Sequence, residues 1–198
     1  KITGGGNLIL GSESFKNAEL KGNTGDGSSI TYELTGGATM ANTNSNRYFR
    51  WTTVGAYVAK GVTLCLSVMY KPVSGADEFC MEIAYTAGYS TSQSWATIKP
   101  TDQLEIEQTD GWVLRYGLWT PPDNATLKLV DMGSGTTHAG TGNYTNKFSL
   151  LHPMLQYGNA PTAWNASSGD YLTQESAKSL FSQTANEIKT EVTKSVTE

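Results

Sequence analysis

Between residues 7 and 155 the apolar positions come in short runs, and the gaps between them are filled with Gly, Asn and Pro. Runs at 7–10, 29–34, 47–53, 62–70, 78–85, 103–108, 112–119, 126–130 and 147–155 each have the length of an ordinary strand. Many short strands separated by turn residues predict an all-β antiparallel sandwich of the jelly-roll type.

One pair of runs suggests a register. Val62, Leu64, Leu66, Val68 and Tyr70 alternate with polar or smaller residues, as do Phe79, Met81, Ile83 and Tyr85. A hairpin through residues 71–77 matches the two apolar faces when Tyr70 lies opposite Phe79. Cys65 then lies opposite Ala84 and Cys80 opposite Met69, on one face but about 13 Å apart at about 3.3 Å per residue. No disulfide spans that gap, so two buried free thiols are expected. The opposite face, with Thr63, Ser67 and Glu82, looks away from the core.

The pattern changes after Tyr171. Residues 172–198 contain no Gly or Pro, and Phe181, Ala185, Ile188, Val192 and Ser195 recur at steps of four and three. This period predicts an amphipathic α-helix with a thin apolar stripe, capped by Thr173 or Ser176. The expected organisation is a linker over 1–6 containing Gly4-Gly5-Gly6, a sandwich over 7–170, and a C-terminal helix over 171–198 that begins a coiled-coil stalk.

Composition narrows the partners. Only 16% of the 198 residues are charged, against about 25% in an average domain, and the net charge is -4. That leaves no basic field for nucleic acid, and no apolar run is long enough for a transmembrane helix. The chain has 21 Gly, 10 Tyr and 5 Trp, so the surface is rich in aromatic and uncharged polar groups.

No catalytic constellation stands out. His138 sits in a Gly/Thr loop and His152 in a strand before Pro153, and neither has a companion Cys or a Gly-x-Ser-x-Gly elbow. Glu105 and Glu107 share one strand face and Asp77 adjoins Glu78, but a solvated edge accounts for them better than a glycosidase pair. The chain is therefore expected not to be an enzyme and to need no cofactor.

Aromatic rings beside hydrogen-bond donors are the remaining chemistry. A pyranose offers an apolar C–H face for stacking and hydroxyl edges for polar contacts. In residues 112–119, Trp112, Leu114, Tyr116 and Leu118 form the more apolar face and are expected to point into the core. Arg115 and Trp119 then point outward, as Glu82 does. Arg50, Trp51, Tyr57, Tyr89 and Trp95, in or beside expected loops, complete a candidate glycan-binding set, whereas Trp164 after Pro161 is expected to pack.

Four segments resemble a known family, and a fifth resembles the repeats that follow its modules. Asn7-Leu8-Ile9-Leu10-Gly11-Ser12 with Phe15 resembles the opening of jelly-roll modules related to cellulose- and xylan-binding carbohydrate modules. Residues 60–71 are similar to their central strand, and Gly111-Trp112 to the next landmark. Residues 153–165 (PMLQYGNAPTAWN) resemble the end of the copies carried by tail and minor structural proteins of phages and prophages. Residues 176–197 resemble the helical repeats that follow such modules in tail fibres.

The resemblance spans residues 7–167 and implies a galactose-binding-like jelly roll in a virion tail, acting outside the cell. The implied partners are a host cell-surface or cell-wall glycan, other tail-protein segments, and two further copies in a homotrimer joined through the C-terminal helix. A purely structural tail module without sugar binding is the alternative. Related modules often hold a structural calcium near the first strand, where Glu13 would serve. Gln156 stands where family motifs often carry an acidic residue.

Overall fold

The computed structural model describes residues 6–22, 27–135 and 142–167. The helix expected over 171–198, His138 and the first five residues of the expected linker lie outside the described residues. In chain order the strands are β1 (Glu19–Gly22), β2 (Ser29–Tyr32), β3 (Ala38–Ser45), β4 (Arg47–Thr52), β5 (Tyr57–Val58) and β6 (Leu64–Gly75). They continue as β7 (Phe79–Ala87), β8 (Gln93–Ile98), β9 (Leu104–Glu107), β10 (Val113–Trp119), β11 (Ala125–Ser134) and β12 (Tyr144–Tyr157).

They form two antiparallel sheets. Sheet one runs β1-β4-β11-β7-β8, with β5 also paired to β11, and sheet two runs β2-β3-β12-β6-β10-β9. The architecture is the expected all-β antiparallel sandwich. Alternate residues of each sheet point inward and bury Phe49, Trp51, Met81, Ile83, Val130 and Met132 from sheet one against Leu64, Leu66, Val68, Phe148 and Leu150 from sheet two. Two aromatic clusters fasten the interior. Phe15 meets Phe49 and Trp51 edge-on at 4.9 and 5.0 Å, and Phe79 meets Tyr70 and Phe148 at 5.0 and 5.5 Å.

The expected hairpin between residues 62–70 and 78–85 does not form. Its two runs belong to different sheets, so Tyr70 and Phe79 meet across the core and not as cross-strand neighbours. The reason lies in residues 71–75, which do not turn. They extend β6 alongside β12, with Pro72 opposite Phe148 at a register shift where a missing N–H is tolerated. The chain then crosses to sheet one.

The cysteines are accordingly separated by the sandwich. Cys65 lies opposite Leu118 and Gln156 on the outer side of sheet two, and Cys80 lies opposite Gly133 on the outer side of sheet one. Both are buried free thiols. Burial pushes each up to about 12, with the nearby carboxylates of Glu82, Glu78 and Asp77 adding to the effect at Cys80. Because the thiolate is the reactive form, folded protein at pH 8 should resist Ellman's reagent and release two equivalents only when unfolded. Rapid labelling of native protein would show that one of these sites opens.

Four strands carry no clear apolar run: β1, β3, β5 and β8. The case of β3 is instructive, because its inward positions read Ala38, Met40, Asn42. Asn42 is buried because its amide donates to Asn146 on β12 at 2.9 Å, and Asn146 in turn bonds Ser134 on β11. A polar bridge between sheets looks like a surface position in sequence.

The first and last segments of the sandwich meet at Asn7, which is 2% exposed. Its amide donates to Ser12, to the Pro153 carbonyl and to the Asn165 carbonyl, while its oxygen accepts from the backbone of Ile9 and Leu155. The opening and closing motifs of the sequence are thus two halves of one hydrogen-bonded closure.

Candidate functional site

Chemistry concentrates on the outer face of sheet one. Because Phe49, Val130, Met132, Met81, Ile83 and Ile98 point inward, their alternates point away from the core. The cross-strand register sets Glu19, Arg50, Asp131, Glu82 and Thr97 in one row across five strands. The next row is Thr52, Leu129, Ala84 and Trp95, and beyond it come Tyr57, Thr126, Thr86 and Gln93.

The row is an ordered charge system. Asp131 and Glu82 are direct cross-strand neighbours, a spacing of about 5 Å between Cβ atoms at which like charges repel. Both are 0% exposed although they face away from the core. Arg50 offsets the repulsion by binding Asp131 with two parallel hydrogen bonds, Nε to Oδ1 at 2.8 Å and Nη2 to Oδ2 at 2.7 Å. These bonds hold the guanidinium charged above its ordinary range, against the burial that opposes it. The Thr97 hydroxyl donates to Glu82 at 3.0 Å.

Rings frame the guanidinium. The Arg50 carbon lies 5.2 Å from the Trp95 ring centre and 5.6 Å from that of Tyr48. Gly133 makes room for Tyr48: it has φ +157, and a Cβ there would come within 2.5 Å of the Tyr48 Cα. The result is a planar cation and two aromatic rings fixed over buried carboxylates. Tyr48 is itself buried at 8% exposure, so Trp95 is the ring with which such a surface can stack on an apolar ring face, beside Arg50 as a hydrogen-bond donor to hydroxyls.

The candidate residues separate on this geometry. Arg50, Glu82 and Trp95 share the outer face. Tyr57, 60% exposed, sits at its end, and Tyr89, fully exposed, lies in the β7–β8 turn at that same end. Trp51 does not belong to the face. It points inward from β4 and is 2% exposed, because the β4 alternation gives the outer positions to Tyr48 and Arg50.

Arg115 and Trp119 are a second correction, because the faces of β10 are the reverse of those expected. Val113, Arg115, Gly117 and Trp119 point inward, and Leu114 and Leu118 point out. Gly117 enforces this, since a Cβ there would come within 2.9 Å of the Ile98 Cδ1 from the opposing sheet. Trp119 packs on Tyr85 at 4.6 Å. Arg115 is 6% exposed, stacks 3.9 Å from the Tyr70 ring centre and donates to Asp77 at 2.9 Å and Glu105 at 2.9 Å. Burial disfavours its charge, but these two carboxylates outweigh it and raise its pKa. Glu105 is thereby tied to a structural role.

His152 and Trp164 also pack, as parallel rings 4.5 Å apart, with the indole N–H donating to the Pro153 carbonyl at 3.1 Å. Burial lowers the pKa of His152. At Glu13 the carboxylate accepts from Asn17 at 2.6 Å, and among the described residues no group of three or more His, Cys, Asp or Glu gathers to hold a metal.

Tyr48, Asp131 and Thr97 were not legible as site residues. The signal for Tyr48 was its shared parity with Arg50. Asp131 follows directly after the run at 126–130, and only the continuation through Met132 marks it as a strand position.

No family model matches the sequence, and no curated protein matches it. Among solved structures the chain is similar to the enzymatically active domain of tailspike protein 4 of bacteriophage CBA120, at 11% identity and TM-score 0.50. That match covers 77% of this chain and 21% of the tailspike chain, so the chain spans about a fifth of that protein's length. A family 16 carbohydrate-binding module matches at 15% identity and TM-score 0.45, covering 75% of this chain and 99% of the module. A family 11 carbohydrate-binding module from Clostridium thermocellum matches at 14% identity and TM-score 0.45, covering 80% of this chain and 98% of the module. At these identities the likeness concerns the sandwich fold alone.

Proposed function

We propose that the chain is a non-catalytic module that binds a saccharide on the outer face of sheet one, and that it serves in the tail of a phage or prophage by recognising a host surface or cell-wall glycan. The observation that carries this reading is Arg50, held by Asp131 within reach of the Tyr48 and Trp95 rings over the buried Glu82. A preorganised cation and fixed rings lose little freedom on binding, and because Asp131 neutralises Arg50 the surface offers hydrogen-bond donors without calling for an anionic ligand. Tyr57 and Tyr89 extend the surface at one end and suit a chain of several sugar units.

The sequence resemblance at residues 153–165 supports the tail setting. Residues 171–198 then begin a stalk that gathers three copies. A weak single site would gain avidity from the linked copies, as effective concentration dictates.

Trp95→Ala tests the site. It should retain the fold by circular dichroism and weaken binding of the best glycan from an array at least tenfold, equivalent to about 1.4 kcal/mol, measured by calorimetry. Unchanged affinity would remove the outer face of sheet one from recognition. Absence of binding to any glycan or host cell wall by the folded chain would leave a structural tail module.

A further inference from the structure

We propose a second saccharide site on the opposite side of the sandwich, in a cleft of about 310 Å³ on the outer face of sheet two whose floor carries Trp112, Lys71, Thr39 and Ser149. The cleft follows from register. Thr39 on β3 pairs with Ser149 on β12, and Ser149 pairs with Lys71 on β6, so three polar side chains line up across three strands. Trp112, immediately before β10, closes the row, with the Lys71 ammonium 5.9 Å from its ring centre. Glu33 and Thr35 come from the β2–β3 connection and form the far wall.

The groups are suited to a ligand and are not consumed by the fold. Thr39 and Ser149 share a hydrogen bond at 2.7 Å and Thr39 also donates to Glu33 at 3.5 Å, which leaves both hydroxyls lone pairs with which to accept from a ligand. Lys71 enters none of the ion pairs among the described residues. The cleft has one cation and one anion, Lys71 and Glu33, so it offers a donor and an acceptor without a net field. Together with an indole wall this matches a neutral pyranose, which presents hydroxyls of both senses and an apolar face. The volume is at the small end of ligand pockets, about 300 Å³, so the cleft takes the end of a saccharide and not a long stretch of chain.

This site is independent of the row on sheet one. The two faces point in opposite directions, so a single glycan segment lying flat on one cannot reach the other. A chain with both sites would link two glycan strands.

The test follows the indole N–H signals of the ¹⁵N-Trp-labelled full chain during titration with xylohexaose, a β-1,3-1,4-mixed-linked glucose tetrasaccharide and an N-acetylglucosamine tetramer. The expected result is a saturable movement of the Trp112 signal with at least one probe, retained in Trp95→Ala and lost in Lys71→Ala, a variant that spares the indole. A Trp112 signal that stays still with every probe at about 10 mM, well above a millimolar Kd, overturns the second site. Movement of Trp112 without Trp95 supports this site while removing the one on sheet one. Movement of Trp95 alone does the reverse.

Discussion

Asp131→Ala should lower the free energy of unfolding by about 3–5 kcal/mol, the usual cost of deleting one partner of a buried ion pair. Asp131 is 0% exposed and takes two hydrogen bonds from Arg50, whose own side chain is only 18% exposed. Removing the carboxylate takes two charge-assisted hydrogen bonds from a largely desolvated guanidinium, and the acidic residues left in the row are Glu19, opposite Arg50 on β1, and Glu82, one strand farther away. Urea unfolding should show a lower midpoint at unchanged slope. Asp131→Asn keeps the shape and one acceptor and should cost less. Saccharide binding should fall in both variants, because Arg50 is no longer held in place. A loss under about 1 kcal/mol for the alanine variant would mean that Arg50 is held equally well by Glu19 or Glu82 and that the row is not a fixed charge system.

Arg115→Ala should cost about 3 kcal/mol, from a cavity against Tyr70 and two carboxylates left without their cation. Only the arginine is deeply buried. Its partners Asp77 and Glu105 are 44% and 45% exposed, so water can resolvate them and the penalty stays below that of Asp131. Saccharide affinity should not change, since the side chain points into the sandwich from β10. Loss of binding at unchanged stability would return Arg115 to the recognition surface. The two variants together separate a charge that serves the outer face from one that closes the interior.

The contrast between these arginines shows where the sequence was informative. Arg50 and Arg115 both sit at alternate positions in aromatic-rich strands, and nothing local distinguishes them. In β10 the face with Trp112, Leu114, Tyr116 and Leu118 has more apolar residues, yet it is the outer one. Hydrophobic count fails there because Arg115 is neutralised by Asp77, which is distant in sequence, and because Gly117 is needed for the close approach of Ile98. Glu82 was readable as outward-facing from its own strand, because Phe79, Met81, Ile83 and Tyr85 leave no other parity. Asp131 required a strand longer than its apolar run.

The misplaced hairpin has the same origin. Matching Tyr70 to Phe79 was sound as a contact, since the rings lie 5.0 Å apart. Alternation specifies which side of a strand is apolar but not whether the apolar neighbour lies beside it or across the core. Both arrangements bury the same surface, and the choice rested on the pairing of Lys71 to Gly75 with β12, a partner some seventy residues away by the register.

By itself the sequence determined the class of fold and the inward faces of β6 and β7, because these depend on local alternation. It also gave the uncharged, aromatic character that favours a saccharide over nucleic acid. Only the tertiary structure decided which aromatic and charged residues share a surface. Strand order and register bring Arg50, Asp131 and Glu82 into one row and Thr39, Ser149 and Lys71 into another, and both are set by pairings between residues far apart in the chain.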